Sequence, residues 1–232
     1  MKSAIRVAHV HLETTLEISE DRVQLLVVEN PKTFYETVTD LEKQMGGGEG
    51  TFVFSVDGRP IEPYSYGELI CDVFHFDLND KKVLNALYKK LEQTAFAERL
   101  PLFNELSAKT VAFLEEISLQ TAFSLEYEEP QPIDYFKAAA VKFAKTYDSL
   151  EEKLICYINA LVELKKCEFF IFVNLKSVFS DEQLTRLYEH CRREQVGLLL
   201  IESGKLRPFL PEEKVVIVTE DLCEIVAGYE NL

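Results

Sequence analysis

Nowhere in this chain of 232 residues does a glycine-rich turn run into Gly-Lys-Ser or Gly-Lys-Thr. A Walker-type nucleotide site needs that lysine on the phosphates and that hydroxyl on magnesium, so this site is excluded. The only glycine-dense segment, Met45–Gly50 (MGGGEG), precedes a strand pattern rather than a helix and reads as a flexible connection. There is no His-Glu-x-x-His, no Gly-x-Ser-x-Gly elbow and no cysteine with an evident histidine partner, which removes the common zinc-hydrolase and acyl-transfer constellations. No Cys-x-x-Cys occurs among the five cysteines, so they read as reduced thiols in mostly apolar settings. No run approaches the roughly 18 apolar residues of a membrane helix, and no basic-apolar leader is seen; a cytoplasmic, soluble chain with no membrane partner is expected. Basic residues are scarce: 25 Lys and Arg face 40 Asp and Glu, for a net charge of −15. That balance argues against a simple nucleic-acid-coating protein, unless the basic residues are gathered on one face.

What the chain does have is apolar runs of two kinds. EFFIFVN, ending on Asn174, and VGLLLIE, ending on Glu202, carry almost no polar interruption. Ser180-Asp181-Glu182 between them starts a helix with Leu184, Leu187 and Cys191 on one side. Strands buried on both faces and joined by a helix belong to a parallel α/β sheet, whose ligands collect at the carboxyl ends of the strands, here near Asn174 and Glu202. The first third is strand-rich. Ile5–Leu12 alternates, placing His9 and His11 on one strand face; Val23–Val28, Thr51–Val56 and Leu69–Phe76 follow as strands, with Asp57-Gly58 as a hairpin turn. Pro31 opens a helix to about Leu41.

The middle is helical. Asn79 or Asp80 caps a helix to Glu98, and Pro101 starts another, broadly apolar, to about Phe123. LEYEEPQP breaks the pattern before helices over residues 133–145 and 149–166, and Val215–Val218 adds a last strand. The fold class is therefore α/β: a discontinuous head with a parallel-type sheet, residues 1–78 and 148–232, interrupted by a helical leg, residues 79–147.

Two charged sets stand out there. Glu126, Glu128, Glu129 and Asp134 form a short acidic stretch without a basic residue; hard oxygen ligands in a flexible segment suit calcium, and a solvated acidic turn is the plainer alternative. Lys137, Lys142 and Lys145 span about 140° of a helix at 100° per residue, with Lys153 on the next helix, and lysines on one surface suit phosphate.

Three segments in order, LICDVFHFDLNDKKVLNALYKKLE, LEYEEPQPIDYFKAAAVKFAKTYDSLEEKL with FFIFVN, and FVNLKSVFSDEQLTRLYEHCRREQVGLLLIE, resemble the accessory adaptation protein of type II-A CRISPR systems. They cover about two thirds of the chain. The resemblance implies a head built like a truncated phosphate-loop ATPase without its catalytic loop, and an extended helical leg. It implies a non-catalytic homotetrameric ring that holds double-stranded DNA ends in its central hole, supported by calcium. It also implies spacer acquisition alongside the adaptation integrase and the effector nuclease. Carried over residue by residue, it puts Glu126, Glu128 and Glu129 on the calcium segment, Asp134 and Asp148 on acidic positions, and Lys137, Lys142 and Lys153 on basic ones. Ser124 stands where the family tends to have an acid, and GGGEG is a place for added loop length. A protein-only oligomeric scaffold and a degenerate nucleotide hydrolase near Asn174–Ser180 are the other two readings.

Overall fold

Runs of β-branched and aromatic residues without polar alternation have only one stable home, the middle of a sheet covered on both faces. The computed structural model describes residues 3–204 and 208–227 and is α/β, with contacts dividing it into two units: Met1–Phe76 with Tyr147–Leu232, and Asp77–Thr146. In chain order the elements are β1 (Ile5–Ala8), β2 (Leu16–Ile18), β3 (Val23–Val28), α1 (Pro31–Met45), β4 (Val53–Val56), β5 (Arg59–Pro60) and β6 (Gly67–Ile70). The second unit contributes α2 (Lys81–Glu98), α3 (Leu100–Ser118) and α4 (Pro132–Ala138). The first unit resumes with α5 (Leu150–Lys165), β7 (Phe169–Val173), α6 (Asp181–Arg193), β8 (Gly197–Ser203), β9 (Glu213–Val218) and β10 (Glu224–Ala227).

The large sheet has the order β10-β9-β3-β8-β7-β6, parallel throughout except for the β10–β9 pair. A small antiparallel sheet, β2-β1-β4-β5, accompanies it. Asp57 (φ 50°) and Gly58 (φ 75°) close its β4–β5 hairpin in the doubly positive conformation that matches strand twist. One core joins the sheets: Ile5, Val7, Leu16 and Ile18 pack with Leu26, Ile171, Leu199 and Val216, and Leu41 of α1 closes it. Helix α6 is fixed at its start by a reciprocal box, Ser180 with Gln183, and tied to α5 by the two-pronged contact of Arg186 with Glu151 at 2.8 Å.

Several sequence expectations need correction. The first strand ends at Ala8 rather than Leu12, because the chain turns there: Leu12 N–H donates to the His9 carbonyl at 3.0 Å. The strand expected over Leu69–Phe76 is β6, Gly67–Ile70; beyond it the Asp72 carboxylate accepts from Phe74 N–H at 2.8 Å and meets His75 Nδ1 at 2.6 Å, which holds a turn. Helix α1 runs four residues past Leu41, to Met45, and α3 stops at Ser118, short of Phe123. The helix expected over residues 133–145 is only α4, ending at Ala138. Beyond it the backbone is claimed by side chains of α2 and its cap region: Asn79 holds both Phe143 N–H (2.9 Å) and Phe143 C=O (3.2 Å), and Tyr88 Oη donates to Val141 C=O at 2.8 Å. Strands β2 and β10 were not anticipated. Two of the five thiols, Cys71 and Cys223, are exposed rather than in apolar settings, while burial pushes the Cys167 and Cys191 thiols up to about 12.

Candidate functional site

In a parallel sheet the first place to look is the carboxyl edge, and here it is sewn shut. Asn174 leaves β7 in the left-handed region (φ 55°), and its Oδ1 accepts from both the N–H and the hydroxyl of Ser203, each at 3.0 Å. Its own N–H donates to the Ile201 carbonyl at 2.9 Å. The ends of β7 and β8 are thus laced to each other. The β3–α1 turn, where a phosphate loop would wrap an anion at a helix start, is just Glu29-Asn30. Asn30 Oδ1 already accepts from Lys32 N–H and Thr33 N–H, each at 3.1 Å, and Glu29 adds a negative charge. Two of the amides at that helix start are therefore already taken. Asn30→Ala removes the cap and is expected to cost about 1 kcal/mol in a urea melt; a loss under a few tenths would mean that the helix start is held by something else.

Below this edge lies a buried ionic cluster. Lys176 is 2 % exposed, Glu213 3 % and Glu202 0 %. The Lys176 ammonium lies 2.5 and 2.7 Å from the two oxygens of Glu213, which also accepts from Tyr188 Oη (2.9 Å) and Leu210 N–H (2.9 Å). Lys176 N–H donates to Glu202 Oε1 at 2.8 Å. Burial raises both Tyr188 and Glu202 above their ordinary values, Glu202 to about 7. Sequence reading missed this cluster.

The two N-terminal histidines do not share a strand face, since β1 ends at Ala8. They sit in the turn after β1 with ring centroids 5.2 Å apart, and His11 N–H donates to His9 Nδ1 at 3.3 Å. His9 stacks on Phe52 at 4.2 Å, and its Nε2 lies 2.8 Å from Thr51 Oγ1, which in turn donates to Asp40 at 2.7 Å. Burial, followed by the neighbouring His11, lowers His9 below its ordinary value against the opposing pull of Asp40. The ring is a structural prop for the β1–β4 end of the small sheet.

In the second unit the expected acidic set is spread along an exposed irregular segment. Glu126 and Glu128 are exposed. Glu129 accepts from the buried Ser107 hydroxyl at 3.0 Å, and Asp134 accepts from Gln131 N–H at 3.0 Å as part of the cap of α4. Among the described residues no three carboxylates, histidines or cysteines gather around a common point. In this arrangement the four residues therefore do not fit a calcium cage, which needs six or more oxygens converging.

The lysines divide between the units. Lys137 lies in the last turn of α4; Lys142 and Lys145 lie beyond its end, so the helical argument that put the three on one surface does not hold. Lys145 Nζ is 3.3 Å from Asp77, in a well-exposed pair worth little in water. Lys153, on α5 of the first unit, rests its ammonium 4.3 Å from the Phe76 ring centroid. Lys137 and Lys142 are exposed and make no ion pair among the described residues.

The fold and these sites define an α/β head without a nucleotide loop, carrying an inserted helical unit. A family model described as CRISPR-associated protein (Cas_Csn2) matches residues 44–222. The chain belongs to this family. A CRISPR-associated protein Csn2 of Enterococcus faecalis is 22% identical over 196 residues, covering 83% of this chain and 87% of that protein. Among solved structures, a nucleotide-free ATP-binding cassette of an ABC transporter aligns with a TM-score of 0.47 at 10% identity, over 99% of this chain and 93% of its own. Another cassette, in its ADP conformation, gives 0.43 at 11% identity, over 93% and 87%. Among the described residues no helix is long and apolar enough to cross a membrane.

Proposed function

We propose that this chain is a non-catalytic, homotetrameric ring protein that holds double-stranded DNA ends during CRISPR spacer acquisition in the cytoplasm, alongside the adaptation integrase and the effector nuclease. Membership of the CRISPR-associated family supports the setting. The observation that carries the assembly is on α3. Leu102, Leu106, Phe113 and Ile117 are 64%, 46%, 60% and 47% exposed. Their spacing of four, seven and four places them within about 60° of the helix circumference. A seam of that kind is what one helix offers another in a bundle, and a second copy of the chain is its proposed cover. Lys137 and Lys142 are the proposed first phosphate contacts, since Lys145 and Lys153 already have partners. Calcium enters only through a rearranged 126–134 segment in which Glu129 and Asp134 give up Ser107 and Gln131.

The test compares a short blunt linear duplex with a relaxed closed circle at low salt, with calcium and with chelator. Binding of the linear form alone, promoted by calcium, is the expected result. Lys137→Ala with Lys142→Ala should weaken it and flatten the salt dependence by roughly one unit of slope per lysine removed. Equal affinity for circle and linear duplex contradicts threading. No binding in any condition returns the chain to a protein-only scaffold, which the same apolar seam also supports. A nucleotide hydrolase working from Asn174–Ser180 is the weakest reading, because Asn174 is spent on Ser203 and Lys176 on Glu213.

A further inference from the structure

We infer that Glu202 is a proton-binding site of the first unit: it is held protonated in the folded chain, and its ionisation destabilises that unit. The argument is a count of charges and donors. Among the described residues the buried cluster holds two carboxylates and one ammonium. Glu213 receives four hydrogen bonds, two from Lys176 and one each from Tyr188 and Leu210 N–H, so it is the member that carries the negative charge. Glu202 receives the Lys176 N–H on Oε1, with the Leu175 N–H also turned towards it. Its Oε2 is buried and has no hydrogen-bond partner among the described residues. A second bare charge there costs more than a proton does.

Among the described residues the surroundings offset such a charge only in part. From the β7–α6 turn Glu202 meets Lys176, already committed to Glu213. From β9 it meets Glu213, which repels an added charge, and from α6 it faces the Tyr188 hydroxyl, itself donated to Glu213. At the same level β3 presents Val27, and β7 presents Val173 opposite the adjoining Ile201. Burial accordingly lifts the Glu202 carboxyl from 4.5 to about 7, with Lys176 opposing and Glu213 reinforcing.

The sign follows. An acid whose folded value lies above its unfolded one makes the folded state hold more protons, so stability is present below about pH 4.5 and is lost as pH rises towards 7. Once ionised, the carboxylate accepts the Lys176 and Leu175 N–H more strongly, but its bare Oε2 is left to be hydrated, which favours opening of the unit.

The experiment is urea unfolding of the full chain and of Glu202→Gln from pH 5 to pH 8.5, with amide exchange at Leu175 and Lys176. Between pH 5 and 8 the wild type should lose on the order of a hundred-fold more in its folded-to-unfolded ratio than Glu202→Gln. Its Leu175 and Lys176 amides should also exchange faster than the variant's above pH 7. Parallel pH profiles overturn the inference. Infrared spectroscopy of the wild type alone decides the matter if the variant does not fold. A protonated carboxyl C=O band at pH 6 that vanishes by pH 8.5 supports it, and no such band overturns it.

Discussion

Replacing Lys176 with methionine is expected to lower stability by about 3–5 kcal/mol at pH 8, and by clearly less at pH 5. The methionine keeps the stem and deletes the ammonium, which is 2.5 and 2.7 Å from the Glu213 oxygens and almost wholly buried. Removing one partner of a buried pair leaves the other charge without either water or a counter-ion. That is far more costly than the pair itself is worth. Tyr188 and Leu210 N–H still donate to Glu213, so the carboxylate is polar-solvated in part but uncompensated in charge. Acidification supplies the missing neutrality as a proton. In the variant the folded state then binds more protons than the unfolded one, and stability falls as pH rises. Adding Glu213→Gln should recover most of the loss at pH 8, because the amide oxygen still accepts from Tyr188 or Leu210 N–H while no bare charge remains. Urea melts of the single and double variants at both pH values measure this. A single-variant loss below about 1 kcal/mol, equal at the two pH values, would show that the ammonium matters little to the folded state.

The same residue shows where sequence reading stopped. In FVNLKSVFS, Lys176 sits in a polar turn after an apolar strand, and a lysine in such a turn is normally a solvated one. Nothing local says that its stem runs down beside the sheet to a carboxylate 37 positions later. That information is tertiary. Strands β7 and β8 and helix α6 were legible because their signals are local: unbroken apolar runs for both-face burial, and a Ser-Asp-Glu helix start before a one-sided apolar stripe. The hairpin at Asp57-Gly58 was legible for the same reason, since its dipeptide demands a positive-φ turn.

Where local pattern and long-range hydrogen bonds competed, the pattern lost. KAAAVKFAKT has high helix propensity, yet Asn79 and Tyr88 take its backbone groups at Phe143 and Val141 and the helix ends at Ala138. With it went the shared lysine surface. In the acidic stretch, composition revealed that carboxylates were near one another in sequence. It did not reveal that Glu129 is committed to Ser107 and Asp134 to the cap of α4. Strands β2 and β10 are three and four residues long and had no longer apolar run around them to mark them.

Gly67→Ala is expected to destabilise the first unit by about 1–3 kcal/mol, a large effect for one methyl. Gly67 opens β6 and pairs in register with Phe169 of β7, and a methyl placed on it would overlap that ring. The ring has no room to yield. Phe169 is fully buried, stacks on Phe54 with centroids 5.9 Å apart, and belongs to the core that joins the two sheets. The movable partner is β6, the edge strand, with β7 as its one sheet neighbour among the described residues. The strain is therefore relieved by peeling β6 outward, at the expense of the Gly67–Ile70 ladder. A double-mutant cycle tests whether overlap is the cause. Phe169→Leu alone removes core contacts and is itself destabilising, but it also vacates the space that the methyl needs. Gly67→Ala with Phe169→Leu should then be less damaged than the sum of the two singles, by about 0.5–3 kcal/mol. Strict additivity would instead assign the loss to backbone conformation at position 67, which its ordinary φ gives no reason to expect.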